Sequence, residues 1–265
     1  MTSPDVTPSP PERRRRGRRI AGVILLVVLG LLAIAAVGFL WYAQPVPLLP
    51  EATAALTSTE AVDVSVGADG TLLFTPTATT PTVGLVLYPG GKVPPAAYAP
   101  AARSIAEAGY LVAIVDVPFN LAVFDINAAS RVMSAHPEIE HWAVGGHSLG
   151  GSRAAQFVAS HPGVVDGLVL WASYSAADLS GQGIGVVSSY GTLDRGVPSF
   201  TSAENVARLG NRVTFDVIDG GNHEQMGWYT GQPNDPPATI SRQAQQDRIV
   251  EATRGFLGEL GSSGG

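Results

Sequence analysis

Short apolar runs and stretches with helical spacing alternate along most of the chain. The run 83–88 (VGLVLY) has no charged residue and the length of a strand that is buried on both faces. After it, Ala97, Ala101 and Ile105 recur at helical spacing. By the same criteria we predict strands at 61–66, 71–74, 83–88, 110–117, 141–145, 166–172, 185–190 and 213–218. The predicted helices are 97–108, 127–135, 152–160, 201–209 and a closing helix around 249–256.

The order of these elements predicts an α/β fold. Residues 67–70 (GADG) separate the first two strands, which is a hairpin signal. Strands and helices then alternate, which indicates a doubly wound, mostly parallel sheet. Thr201 and Glu204 have the spacing of a capping box for the helix 201–209. Because sites in such sheets lie at the carboxyl ends of the strands, we expect the chemistry just after Tyr88, Gly145, Tyr190 and Ile218.

Residues 20–42 form an uninterrupted apolar segment near the N-terminus. The segment has 23 residues and no charge, so that a helix of this length spans about 34 Å, enough to cross a bilayer. Trp41 and Tyr42 close it with rings that favour the headgroup region, and six arginines precede it. A cleaved signal peptide is the alternative, but its apolar region is shorter and its cleavage site has small residues. We therefore predict an uncleaved transmembrane signal anchor with a cytoplasmic N-terminus and an extracytoplasmic remainder.

Composition and charge divide the chain into five regions. Residues 1–19 are predicted to be a disordered basic tail, 20–42 the anchor, 43–60 a tether, 61–260 the folded domain and 261–265 a flexible tail. The first 19 residues carry six arginines against Asp5 and Glu12, a net charge of +4. Because the whole chain has a formal net charge of −6, the remaining residues carry a net charge of −10. An acidic domain does not have the basic surface that binds nucleic acid, so we predict no nucleic-acid partner.

Several kinds of site are excluded by residue content. The chain has no cysteine, which excludes disulfides, thiolate metal sites and a cysteine nucleophile. His, Asp and Glu show no metal-ligand spacing, and no Gly-rich loop runs into Lys-Ser or Lys-Thr to bind phosphate. We therefore predict neither a metal nor a cofactor.

The strongest chemical motif is G-x-S-x-G at the end of the predicted strand 141–145. It consists of Gly146, His147, Ser148, Leu149 and Gly150, and a predicted helix follows it. A tight strand-to-helix turn projects the central side chain, and small residues are required two positions before and after it. The N–H groups of the helix N-terminus then favour a developing anion near Ser148. The motif predicts a nucleophile elbow.

A serine nucleophile needs a base and an acid that orients the base. His223 lies in the Gly-rich loop after the last predicted strand, and Asp194 lies after the strand that ends at Tyr190. Asp178 is the rival acid, while Asp219 is predicted to anchor its own loop. The expected chain order of nucleophile, acid and base selects Ser148, Asp194 and His223 as the catalytic residues.

An oxyanion hole needs two N–H donors. Leu149 follows the nucleophile and is predicted to supply one. The loop after Tyr88 supplies the other, either from Gly91 or from Lys92. Gly90 and Gly91 allow the backbone to approach a substrate closely.

These residues together resemble the α/β-hydrolase superfamily. The strings YPGGKVPPAAYAP, VGGHSLGG and WASY, with the Pro118-Phe119-Asn120 turn, are similar to its compact bacterial fold-5 group, a neighbour of dienelactone hydrolases. The resemblance covers about residues 61–260 and implies an eight-stranded type of sheet with Ser148, Asp194 and His223 as triad.

The chain also departs from related groups. Dienelactone hydrolases use a cysteine, so their substrate does not carry over, and the HGGG-type loop of lipases is not present. The interval 172–185 leaves no room for a cap domain. We therefore expect an open site in which Gly90, Phe119 and Asn120 contact the substrate and residues 119–124 form part of the wall.

The predicted function is hydrolysis of an ester, thioester or amide through an acyl-enzyme on Ser148, with a carboxylic ester as first choice. The protein would be a single-pass plasma-membrane enzyme with a small-molecule or lipid-like acyl substrate and the bilayer as its partners. Two alternatives stay open. One is acyl transfer onto an envelope component, and the other is a non-catalytic binding module on the same fold.

Overall fold

The computed structural model describes residues 11–262, which form two compact units. Residues 11–44 of the first unit contain one helix, α1 (Pro11–Tyr42). Its part Arg19–Tyr42 has a mean hydropathy of 3.1. This part is long and apolar enough to cross a membrane, although a signal sequence has the same character. The predicted tail 1–19 is helical from Pro11 onward, because arginine has a high helix propensity and continues the apolar helix. Residues 1–10 and 263–265 lie outside the described residues.

The second unit is built on one eight-stranded sheet. Its strands run in the order β1-β2-β4-β3-β5-β6-β7-β8. The β1–β2 and β2–β4 pairs are antiparallel, and each pair from β4 through β3 to β8 is parallel. The strands are β1 (Val62–Val66), β2 (Leu72–Pro76), β3 (Val83–Tyr88), β4 (Leu111–Ile114), β5 (His141–His147), β6 (Gly167–Trp171), β7 (Gly185–Gly191) and β8 (Val213–Ile218). This sheet confirms the predicted fold class.

Helices cover both faces of the sheet because its central strands are buried throughout. One apolar cluster packs Ile105 of α3 and Leu257 of α8 against one face, and a second packs Val132 of α4 and Phe157 of α5 against the other. The helices of this unit are α2 (Pro50–Ala54), α3 (Ala99–Ala106), α4 (Ala128–Ala135), α5 (Leu149–Ser160), α6 (Val197–Phe200), α7 (Ala203–Leu209) and α8 (Arg242–Ser262). Short 3₁₀ helices lie at Pro95–Tyr98, Pro118–Asn120, Ala122–Phe124 and Glu224–Met226.

The predicted capping box is wrong by one residue. Helix α7 is capped by Ser202, whose side chain accepts a hydrogen bond from the Asn205 N–H at 3.1 Å. Thr201 instead belongs to the end of α6, where its hydroxyl donates to the Val197 carbonyl. Two adjacent hydroxyl residues are equivalent in a sequence pattern, and the preceding short helix decides which of them takes the cap.

Residues 43–60 were expected to form a tether, but the structure places 45–60 in the folded unit. The Val46 N–H donates to the Lys92 carbonyl and the Leu49 N–H to the Trp228 carbonyl, both at 3.0 Å. Ala52 of α2 is fully buried. The folded unit therefore begins near Pro45, because this short segment satisfies its backbone groups against the fold.

Candidate active site

Ser148 stands at the turn between β5 and α5, as the motif predicts. Its backbone has φ 52° and ψ −119°, a region that residues other than glycine rarely adopt. A Cβ at Gly146 would lie 2.5 Å from the Tyr88 carbonyl oxygen, and a Cβ at Gly150 would lie 2.2 Å from the same atom. The turn can therefore lie against the end of β3 only because both positions are glycine.

Replacing Gly150 with alanine should lower the free energy of unfolding by about 3 kcal/mol, because backbone on both sides of the new methyl group would have to move. The two nearest atoms are the carbonyl oxygens of Tyr88 and Pro89, at 2.2 and 2.4 Å. Denaturant unfolding of the full chain measures the change. Gly255→Ala is the matched control, since a Cβ at Gly255 meets nothing within 4 Å. Equal stability of the two variants would contradict the tight turn.

The backbone of Ser148 is fixed by the neighbouring strand end. Its N–H donates to the Trp171 carbonyl at 3.0 Å, and the Ser173 hydroxyl donates to the Ser148 carbonyl at 2.6 Å. Trp171 ends β6 and Ser173 follows it. These contacts orient the serine relative to the loops after β6 and β7.

The expected acid and base are in direct contact. Asp194 Oδ2 lies 2.7 Å from His223 Nδ1, and the Asp194 side chain is 2% exposed. The other carboxylate oxygen, Oδ1, accepts the Gly196 N–H at 2.6 Å. An ionised carboxylate can only accept, so Nδ1 of His223 carries the proton and Nε2 keeps a lone pair. His223 is therefore in the tautomer that a general base requires.

The loops that carry Asp194 and His223 meet backbone to backbone. A Cβ at Gly191 would lie 2.1 Å from the Gly221 carbonyl carbon. The Leu193 N–H donates to the Gly221 carbonyl at 2.9 Å. Two parallel strand ends thus bring residues 29 positions apart into hydrogen-bond contact.

Helix α8 fixes the backbone beside the histidine through Gln245, a residue that sequence reasoning missed. Gln245 is fully buried. Its amide oxygen accepts the Asn222 N–H at 3.0 Å, and its amide nitrogen donates to the Asn222 carbonyl at 2.8 Å. Local sequence patterns do not predict this pairing, because Gln245 and Asn222 are 23 residues apart in the chain.

Asp235 is a second residue that sequence reasoning missed. Its two carboxylate oxygens accept the backbone N–H groups of His223 and Glu224, at 3.3 and 2.7 Å. Burial raises the pKa of the Asp235 carboxyl, while these two N–H groups act in the opposite direction. The breaker-rich string GQPNDPPATI marks this segment as a loop, but its return to the histidine is a tertiary contact.

The rival acids make other contacts. Asp178 is exposed, and it accepts hydrogen bonds from the N–H and the hydroxyl of Ser180. Asp219 accepts from the Thr192 hydroxyl at 3.2 Å, so it joins the acid loop to the base loop rather than only its own loop. Asp194 is the acid that lies at His223.

Two backbone N–H groups remain for an oxyanion. Leu149 is the first residue of α5, where an N–H has no partner within the helix. A Cβ at Gly91 would lie 3.8 Å from the Leu149 Cβ, so the two residues are close. The N–H of Gly91 makes no hydrogen bond with any residue between 11 and 262. The two N–H groups are therefore the candidates for an oxyanion hole. Leu149 lines the same cavity as Ser148, whereas Gly91 is not among the residues, within 11–262, that line it.

The other two residues of this loop are already used. The Lys92 N–H donates to the Asn120 carbonyl at 2.8 Å, so Lys92 is not the second oxyanion donor. The Gly90 N–H donates to the Tyr98 hydroxyl at 2.9 Å. Sequence reasoning left Gly91 and Lys92 as alternatives, and the hydrogen bond to Asn120 selects Gly91.

His147, the residue before the nucleophile, is buried beneath the site. Its Nδ1 lies 2.9 Å from the Tyr98 hydroxyl, which also accepts the Gly90 N–H. Burial, with nearby His223 as a smaller cause, lowers the pKa of His147 well below 6.5, so the ring is neutral at pH 7. The rings of His147 and His223 are 4.5 Å apart, and a neutral neighbour adds no charge beside the base.

Ser148, Asp194 and His223 line one cavity of about 410 Å³. Its walls come from α5, from the loops after β6 and β7, and from residues 232–235. Gly90, Phe119 and Asn120 are not among the residues, within 11–262, that line it, so the expected wall from 119–124 is wrong for this cavity. Phe119 and Phe124 are instead 48% and 53% exposed. The Lys92–Asn120 hydrogen bond connects this turn to the loop after β3.

The comparisons with known proteins agree with this fold. The chain is similar to a predicted CIB-like hydrolase from Thermoplasma acidophilum, with a TM-score of 0.52 at 16% identity over 74% of this chain and 99% of that one. It is also similar to carboxyl esterase 2 from Tuber melanosporum, with a TM-score of 0.56 at 15% identity over 77% and 89% of the two chains. Likeness at such identity shows the fold. The comparison with curated proteins gives no match. A model of the alpha/beta hydrolase family matches residues 84–247, more than half of the sequence, and the chain therefore belongs to that family.

Proposed function

We propose that this protein is a serine hydrolase that cleaves a carboxylic ester through an acyl-enzyme on Ser148. The observation that carries the proposal is the 2.7 Å contact between Asp194 and His223 in the cavity that Ser148 lines. The strained turn at Ser148 and the two backbone donors at Leu149 and Gly91 support it. Nucleophile, base, orienting acid and oxyanion donors are the parts that acyl transfer requires.

The first half of the reaction forms the acyl-enzyme. Ser148 Oγ attacks the carbonyl carbon while His223 Nε2 takes the hydroxyl proton, and the carbonyl π electrons move to oxygen. The Leu149 and Gly91 N–H groups stabilise that oxyanion, and Asp194 stabilises the imidazolium. When the tetrahedral intermediate collapses, the C–O bond to the leaving group breaks and His223 gives its proton to the departing oxygen.

The second half regenerates the enzyme with water as the nucleophile. His223 takes a proton from water as its oxygen attacks the acyl carbon, and the same N–H groups stabilise the second oxyanion. Collapse breaks the bond to Ser148 Oγ, which recovers its proton from His223. The products are a carboxylic acid and a free serine hydroxyl.

The location follows from α1, and it is part of the proposal. Arg19–Tyr42 has the length and the hydropathy of a membrane span. The arginines that precede it in the sequence favour an N-terminus in the cytoplasm. An uncleaved span with this orientation puts Ser148 on the extracytoplasmic side of the plasma membrane.

A membrane-impermeant fluorophosphonate tests the nucleophile and the location together. Applied to intact cells that express the full chain, it should label Ser148 on a protein that stays in the membrane fraction and retains residues 20–42. Labelling only after cell lysis would contradict the orientation. Failure to label the folded protein even in detergent would contradict the serine mechanism.

A further inference from the structure

Two arginines line the cavity without a carboxylate partner. Arg195 directly follows the acid Asp194 and is exposed, and Arg153 lies on α5 five residues after the nucleophile. Among the described residues neither guanidinium forms an ion pair. Each guanidinium presents a fork of N–H donors that fits an oxyanion.

The contacts of Arg153 leave it able to bind a further group. Its terminal nitrogens donate to the Gln156 amide oxygen at 2.7 Å and to the Ser152 hydroxyl at 3.1 Å, both neutral acceptors. Its Nε is buried and has no hydrogen-bond partner among residues 11–262. Neutral contacts orient this side chain but do not cancel its charge.

The acidic residues of the cavity do not neutralise these arginines directly. Asp194 accepts from His223 and from the Gly196 N–H. Asp235 accepts two backbone N–H groups with its two oxygens. Both carboxylates are therefore engaged within the catalytic loops, while the guanidinium groups line the space that a substrate would occupy.

We infer that the substrate is an ester that carries an oxyanionic group, which Arg195 and Arg153 bind while Ser148 attacks the ester carbonyl. The inference rests on the proposed function and narrows its substrate class. Ser152, Ser173, Gln232 and Asn234 add neutral hydrogen-bonding groups to the cavity wall. Leu149, Ala172 and Phe200 line the same cavity and can contact the apolar part of the ester. A carboxylate and a phosphate monoester share the required chemistry.

Matched aryl acetates test the inference in the full chain held in neutral detergent. The probes are 4-acetoxybenzoate, 4-acetoxyphenyl phosphate and the neutral methyl 4-acetoxybenzoate. A second pair, mono-4-nitrophenyl adipate and its methyl ester, puts the charge on the acyl side. Each kcat/KM is divided by the rate constant of the same probe with hydroxide.

In at least one series, the anionic probe should exceed its neutral partner by about 10- to 100-fold, as expected for hydrogen bonds between charged groups. The probe with the higher kcat/KM identifies whether the arginines bind a carboxylate or a phosphate. Because Arg195 is exposed, the preference should shrink as salt is raised from 0.05 to about 0.5 M. A preference that arises from cavity shape alone would not respond to salt.

Variants assign the effect to residues. Arg195→Gln should lower the anionic-to-neutral ratio about 10-fold, and Arg153→Gln should lower it as well. Arg254→Gln, an exposed arginine of α8 that does not line the cavity, should keep the parent ratio. Because Arg153 is partly buried, circular dichroism checks its variant, and Arg195→Gln tests the inference independently.

The possible failures are distinguishable. Equal hydrolysis of neutral and anionic probes by the parent protein would overturn the inference and leave the serine hydrolase intact. A ratio that survives both arginine substitutions would overturn it too. If no probe of either charge is hydrolysed, the proposed function fails together with it.

Discussion

Alanine at position 148 should lower kcat/KM for an activated ester by about 10⁴- to 10⁶-fold, because the hydroxyl that we propose to form the acyl-enzyme is removed. The remaining rate would come from the N–H groups of Leu149 and Gly91, which still stabilise an oxyanion when water attacks. Initial rates with 4-nitrophenyl acetate measure the loss. The size of the effect follows from the turn, which places this hydroxyl in the cavity with His223.

The matched control is Ser160→Ala at the other end of the same helix. Ser160 is exposed, and its hydroxyl donates to the Gln156 carbonyl four residues earlier. This variant should keep the parent rate. If Ser148→Ala hydrolyses the ester as fast as Ser160→Ala, the observed hydrolysis does not use the elbow serine and the mechanism is wrong.

Asparagine at position 194 should lower kcat by about 10⁴-fold while the fold is maintained. The amide is isosteric with the carboxylate and can still contact the Gly196 N–H. An amide nitrogen facing His223 would donate to Nδ1, which moves the ring proton to Nε2 and removes the lone pair that accepts the serine proton. The imidazolium that forms during attack would also have no negative partner.

A pH–rate profile and a rival residue complete this test. At high pH, hydroxide can replace the base, so the loss in Asp194→Asn should become smaller as the pH rises. Asp178→Asn is the control, because Asp178 is exposed and bonded to Ser180 rather than to the base. Equal losses in the two variants would show that the 2.7 Å contact does not orient His223.

The elements that were predicted well depend on local patterns. The strands β3 and β8 have the predicted bounds, since each is a run of residues with β propensity that breakers or polar residues delimit. The G-x-S-x-G turn was also predictable, because its glycines are required within five consecutive residues. The triad could be proposed from chain order, since every member follows a parallel strand.

The errors concern contacts between segments that are distant in sequence. The tether was expected between the anchor and the first predicted strand, while Val46 and Leu49 in this segment donate hydrogen bonds to Lys92 and Trp228. A wall from residues 119–124 was expected because the interval 172–185 leaves no room for a cap domain, whereas residues 232–235 line the cavity. A linear pattern carries no information about which of several loops at one sheet edge folds over the nucleophile.

The sequence by itself determined that this chain has an α/β sheet, one apolar N-terminal segment and a serine in a strand-to-helix turn, because all three arise from spacing among near neighbours. Only the tertiary structure decided that the Lys92 N–H is bonded to Asn120 while the Gly91 N–H makes no hydrogen bond within residues 11–262. It also decided that Asp194 rather than Asp178 contacts the histidine, and that two arginines line the cavity. Those facts depend on which backbone groups form hydrogen bonds with residues distant in sequence. They also depend on which loops lie next to each other at the ends of the parallel strands.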